Sequence, residues 1–241
     1  MKLHKKCKHL KYLLVRYVKR IHQDLLRQTI GKIIFRKALY EIQHCPIFRI
    51  YKYPKLLDYK ILSPYKTTKL FVEAGIGNGE QLAYLANYYT RATVIGFEIT
   101  NKYVIKSANR LKRHNCKNAK IIHGDIMETL AKFFADAVID RCYITCPDPW
   151  PKRKHIKHRL VYFENFKIIL SKIKPKGTIQ IITDNVIYQN TLVNTLKQLN
   201  NQVNYVNQTY KTLPVKYYKT KYIKKWEQNN RNFYVFEIEK S

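Results

Sequence analysis

The sequence predicts an α/β fold: a doubly wound, mostly parallel seven-stranded sheet preceded by a basic helical N-terminal extension. Three observations predict it. From Lys69 onward, short runs rich in Val, Ile and Phe alternate with stretches of helical periodicity; the first run passes through a glycine-rich turn straight into a helix; and the last two runs lack a clear helix between them.

Residues 1–65 read as the extension and 66–241 as the main domain. Within the extension Leu10, Leu13, Leu14, Tyr17, Val18, Ile21 and Leu25 recur at helical spacing, while Lys11, Arg16, Lys19, Arg20 and His22 fill the other faces. Such a basic amphipathic helix suits an arm that grips phosphates, a targeting segment, or a helix packed on the core with one solvated face; the basic character of the whole chain favours the arm. Strands are expected over 69–74, 92–97, 119–123, 137–146, 177–183, 203–210 and 233–239. Helices are expected over 81–88, 101–115, 126–134, 159–172 and 186–199. Strand and helix in alternation imply parallel βαβ units, and the late pair of strands suggests a hairpin-like addition.

The chain of 241 residues carries 46 Lys+Arg against 16 Asp+Glu, a formal net charge of +30. A field of that sign attracts polyanions, so nucleic acid is the expected partner. A compositional bias explains a preference for Lys but not the scarcity of acids. Five cysteines without a C-x-x-C pair indicate neither a disulfide framework nor a zinc site, and no metal is expected. That usage fits a reducing, cytoplasmic setting; no apolar run approaches the roughly 18 residues of a membrane span, and no signal-peptide pattern opens the chain.

The first expected strand ends in Glu73-Ala74-Gly75-Ile76-Gly77-Asn78-Gly79. Glycines at 75, 77 and 79 permit a tight turn and close approach of a ligand to the backbone, as in nucleotide pockets at the carboxyl end of a first strand. Glu98 ends the second strand, where a carboxylate can accept hydrogen bonds from both hydroxyls of a ribose. Asp125 ends the third strand in His123-Gly124-Asp125-Ile126; a helix N-cap is its plain structural alternative. Three acids at successive strand ends point to a nucleoside-bearing cofactor.

The fourth strand runs into Cys146-Pro147-Asp148-Pro149-Trp150-Pro151, followed by five Lys/Arg and two His between Lys152 and Arg159. Proline on both sides restricts the backbone around Asp148, placing one carboxylate rigidly beside a cationic surface. This stretch closely resembles the motif of the bacterial tRNA (guanine-N7)-methyltransferase family. Lys174-Pro175-Lys176-Gly177 with Ile182-Thr183-Asp184, and Thr220-Lys221-Tyr222, resemble that family's later segments, so the likeness runs from about Lys69 to the C-terminus. It implies a Rossmann-like class I methyltransferase that moves a methyl group from S-adenosylmethionine to N7 of a guanosine in the tRNA variable loop, with no protein partner required. By that resemblance Glu73, the glycine turn, Glu98, Asp125 and Asp148 hold the cofactor, with Asp148 between cofactor and base. Lys152, Asp184, Thr220, Lys221 and Tyr222 receive the guanosine. One departure stands out: the family carries Glu after Thr-Lys-Tyr, and this chain has Ile223.

Two other readings remain open at the level of sequence. Cys146, at a strand end among cations, would have a lowered pKa and could serve as the nucleophile of an RNA cytosine-5 methyltransferase. Alternatively the chain is a non-catalytic, basic RNA-binding protein on the same fold. Trp150 either stacks on a base or packs beneath its own loop.

Overall fold

The computed structural model describes residues 50–52, 69–150 and 152–241, except the side chains of 50–52, 153 and 154. The helical pattern over 10–25 and nearly all of the extension lie outside the described residues. In chain order the elements are β1 (Ile50–Lys52), β2 (Lys69–Ala74), α1 (Glu80–Tyr88), β3 (Ala92–Glu98), α2 (Asn101–Arg113), β4 (Ala119–His123), α3 (Ile126–Phe133) and β5 (Ile139–Thr145). A 3-10 turn (Arg153–His158) follows, then α4 (Phe163–Lys172), β6 (Ile173–Thr183), α5 (Val186–Leu199), β7 (Val203–Tyr210), α6 (Lys221–Gln228) and β8 (Phe233–Lys240).

One sheet takes all the described strands in the order β1-β4-β3-β2-β5-β6-β8-β7. Its pairs are parallel from β1 through β6, and β8 lies antiparallel to both β6 and β7. The doubly wound, mostly parallel architecture is therefore as expected, with an eighth strand: β1 falls inside the range assigned to the extension and adds to the outer edge of β4. A second difference is α6, which lies in the connection between β7 and β8, although the two strands pair antiparallel as the hairpin-like addition requires. Thr220 caps α6 by accepting the Ile223 N–H at 3.3 Å, and the apolar Ile223 one turn in is fully buried.

Alternation along the strands divides the core between the two faces of the sheet. Leu70, Val72 and Ala74 of β2 join Ile95 and Phe97 of β3 beneath α3, α4 and α5, in a cluster that includes Leu130, Phe166 and Leu192. Phe71 and Val94 point the other way, into a cluster with Leu82, Leu85 and Val104 from α1 and α2. Helices on both faces bury the central strands β2 and β3 from two sides, which is why these runs are nearly continuous in apolar residues. The sheet reverses its winding at β2, between β3 and β5, and the carboxyl ends of these strands face one cleft. Among the described residues no helix is long and apolar enough to cross a membrane.

Candidate active site

The cleft has a volume of about 830 Å3 and runs across the ends of β2, β3, β4 and β5. Its floor is the glycine turn. Gly75 and Gly77 have φ of 73° and 49°, a conformation that a side chain would strain, and a Cβ built at either would meet nothing within 4 Å, so their outer faces are open to a ligand. Gly79 serves differently: a Cβ there would meet the Ser107 side chain at 2.7 Å, so its absence lets the turn sit against α2. Ser107 Oγ donates to Gly77 O at 2.8 Å and Arg110 Nε to Asn78 O at 2.9 Å, holding the turn from α2.

Two carboxylates border this floor. Glu98 accepts the Gly77 N–H on Oε2 at 2.9 Å and the Thr100 N–H on Oε1 at 2.8 Å, so each oxygen is oriented and keeps a second lone pair. Glu73 is 3% exposed, and its Oε2 has no hydrogen-bond partner among the described residues. Burial pushes the Glu73 carboxyl well above the usual carboxylate range. Asp125 also lines the cleft while capping α3, accepting the Glu128 N–H at 3.0 Å, so the N-cap alternative is realised alongside the site position.

Opposite the turn stands the loop after β5. Pro147, Asp148 and Trp150 line the cleft, with Lys157 and His158 at its rim. Trp150 packs against the rings of His155 and His158, at centroid distances of 5.6 and 5.4 Å, while remaining 39% exposed. Lys152 is exposed and outside the cleft lining. Arg159, the last cation of the run, is 4% exposed and turned inward. Its guanidinium donates to Pro149 O at 2.9 Å, Trp150 O at 3.1 Å and Thr191 Oγ1 at 2.9 Å. The sequence groups Arg159 with the cationic surface beside Asp148; in the fold it clamps the loop that carries Asp148.

Thr220, Lys221 and Tyr222 complete the wall at the start of α6. Asp184 lies behind them, outside the lining: its Oδ2 accepts from Tyr222 Oη at 3.0 Å and pairs with Arg231 Nη1 at 2.7 Å. Burial, and then the charge of Asp184, push the Tyr222 hydroxyl up to about 12, so it acts as a neutral donor. Ile223 points away from the cleft into a cluster with Leu213, Tyr217, Phe233 and Val235. Its apolar character is a packing requirement. Glu227 is engaged elsewhere, accepting the Leu213 N–H at 2.7 Å and pairing with Lys219 at 3.0 Å.

The lowered pKa expected for Cys146 is not found. Desolvation, reinforced by the neighbouring charge of Asp184, pushes the half-buried thiol well above its ordinary value. A thiol held neutral is a poor nucleophile.

Three features of the site escaped the sequence reading: the inward Arg159, helix α6, and Glu80, an 8%-exposed carboxylate on the cleft wall. The last carried a signal, an acid directly after the final glycine of the turn in a chain poor in acids.

Residues 67–236 match the family model described as "Putative methyltransferase". A protein named tRNA (guanine-N(7)-)-methyltransferase from Thermotoga maritima is 26% identical over 73% of this chain and 55% of its own length. One of the same name from Wolbachia pipientis wMel is 34% identical over 60% of this chain and 64% of its own. The match thus spans about half to two thirds of these curated relatives. Among solved structures, a precorrin-6y C5,15-methyltransferase from Geobacter metallireducens superposes with a TM-score of 0.52 at 14% identity, covering 79% of this chain and 93% of that one, a likeness of fold. Because the family match takes in the strands and loops from which the cleft is built, the chain belongs to this methyltransferase family.

Proposed function

We propose that the chain transfers a methyl group from S-adenosylmethionine to N7 of a guanosine in the tRNA variable loop, forming 7-methylguanosine. One observation carries this reading: the Asp148 loop faces the glycine turn and Glu98 across a single cleft, with Lys157 and His158 at its rim. The names of the relatives favour the same reaction, and the net charge of +30 suits a tRNA partner.

The residues present fit such a cofactor. Open glycine faces at 75 and 77 accommodate a nucleoside close to the backbone, and the spare lone pairs of Glu98 suit ribose hydroxyls. The buried Glu73 Oε2, which has no partner among the described residues, is placed to accept from a donor on such a cofactor. S-adenosylmethionine supplies an electrophilic methyl group on a sulfonium.

Guanine N7 has a free lone pair and no proton to lose, so neither a strong base nor a covalent nucleophile is needed. What this chain contributes is position and charge. The Arg159 clamp and the flanking prolines fix Asp148, whose carboxylate stabilises positive charge as it develops on the purine. Asp184 orients the Tyr222 hydroxyl, which with Thr220 and Lys221 forms the wall for the base. Lys152, Lys157 and their neighbours contact phosphates while the nucleotide turns out of its stack. Methyl transfer through Cys146 is disfavoured by its raised pKa, and Ile223, the departure from the family pattern, has a packing role away from the cleft.

The test is Asp148→Ala. Transfer of labelled methyl to tRNA should fall by about 100-fold, the scale of losing one charge-stabilising group in the transition state, while tRNA binding is retained. Near-normal turnover would refute the role given to Asp148.

A further inference from the structure

Glu80 opens α1 immediately after Gly79 and is used by none of the steps above. Its carboxylate lines the cleft while being 8% exposed. Oε2 accepts the backbone N–H of Lys221 at 2.7 Å, a bond that spans 141 residues of sequence. Oε1 faces Arg110 Nη2 at 3.5 Å, and the same guanidinium donates through Nε to Asn78 O at 2.9 Å. One carboxylate is therefore joined on one side to the glycine turn, through its own backbone and through Arg110, and on the other side to the first turn of α6.

The geometry assigns Glu80 as a positioning residue: it registers the Thr220–Lys221–Tyr222 wall against the glycine turn, so that cofactor and guanosine are set relative to one another by a single buried hydrogen bond. Two physical points support this. Lys221 N–H belongs to the first turn of α6, whose N–H groups lack partners within the helix and whose dipole favours an anion, so a buried carboxylate is a strong anchor for it. By contrast the Arg110 contact is long and less buried, so it orients Glu80 more than it holds it. On the far side the same segment is tied to Asp184 through Tyr222 at 3.0 Å. Removing the Glu80 bond would leave the Lys221 end of the wall free to shift while Ile223 keeps α6 packed.

The assignment rests on the proposed reaction, and it has a consequence that reaction alone does not require. If the glycine turn and the base wall share Glu80, occupancy of one side should favour the other, and the coupling should be reciprocal. In Glu80→Ala the KM for tRNA should rise about tenfold, the cost of one hydrogen bond to a charged acceptor, while the Kd of S-adenosylhomocysteine by calorimetry stays within about twofold. In the wild type S-adenosylhomocysteine should tighten tRNA binding, and in Glu80→Ala it should not. Glu80→Gln retains an acceptor for Lys221 N–H and should restore most of the tRNA affinity. Amide exchange at Lys221 in the protein alone should quicken in the Ala variant and stay near wild type in the Gln variant. Unchanged exchange at Lys221 in Glu80→Ala would overturn the assignment, as would a loss of cofactor affinity equal to the loss for tRNA. A wild type that transfers no methyl to tRNA would instead overturn the reaction, and the exchange comparison would still decide the role of Glu80.

Discussion

Arg159→Lys keeps the charge and removes the fork. The guanidinium of Arg159 makes three hydrogen bonds from a site 4% exposed, two of them to the carbonyls of Pro149 and Trp150 on the loop that carries Asp148. An ammonium at the end of a lysine stem satisfies one such acceptor well and cannot span three. With each bond from a charged donor contributing about 1.5–3 kcal/mol, two lost bonds amount to about 3–6 kcal/mol before the loop relaxes. Relaxation recovers part of this, so urea unfolding should show a destabilisation near the lower end, about 3 kcal/mol. The same relaxation moves Asp148, and a displacement of about 1 Å near the chemistry costs on the order of 100-fold in rate. Single-turnover transfer of labelled methyl measures that loss. Arg159→Gln supplies the control: a buried clamp makes no phosphate contact, so the slope of log K for tRNA against log salt should not change. Stability within about 0.5 kcal/mol of wild type, or a shallower salt slope in the Gln variant, would refute the clamp and return Arg159 to the RNA surface.

Further predictions concern the other buried groups. Because burial raises Glu73 above its ordinary value near 4.5, its contribution to stability is fully present below that value and is lost as pH rises through the folded-state pKa. Glu73→Gln should therefore gain on the wild type between pH 5 and pH 8 in denaturant titrations of the free protein; an equal difference at both pH values would contradict this. Ile223→Glu, which brings the chain closer to the family pattern, should destabilise it by about 3–5 kcal/mol by burying a carboxylate among Leu213, Tyr217 and Phe233, and wild-type stability would contradict the packing role. Cys146→Ala should retain methyl transfer within about threefold, since a thiol held neutral is not the nucleophile. Complete loss of activity in a folded Cys146→Ala would revive the cytosine-5 reading.

The central sheet and the glycine-turn side of the cleft were legible because they rest on local patterns. Apolar runs of strand length, a glycine-rich turn and an acid at a strand end can each be read within a few residues, and Glu73, Gly77 and Glu98 line the cleft. What was hidden depends on tertiary context. A run of Lys, Arg and His looks uniformly solvated, and nothing local marks Arg159 as the member whose partners lie at Pro149, Trp150 and Thr191. Helix α6 spans only 8 residues and is mostly polar, so in sequence it passes for part of the connection between two strands; its cap at Thr220 and buried Ile223 acquire meaning only against Phe233 and Val235. Strand β6 begins at Ile173, four residues before the expected start, because Pro175 and Lys176 lie in a register shift opposite β5 that reads as a turn in sequence. Cys146 shows the same limit for chemistry: sequence neighbours suggested a cationic setting, and burial decided the sign of the shift.

The most direct measurement incubates the protein with S-adenosylmethionine labelled in the methyl group and tRNA lacking the modification, digests the product to nucleosides and separates them. The account predicts label in 7-methylguanosine, and its near disappearance in Asp148→Ala. Label in 5-methylcytidine or another nucleoside, or an unlabelled tRNA with the wild-type protein, would contradict it.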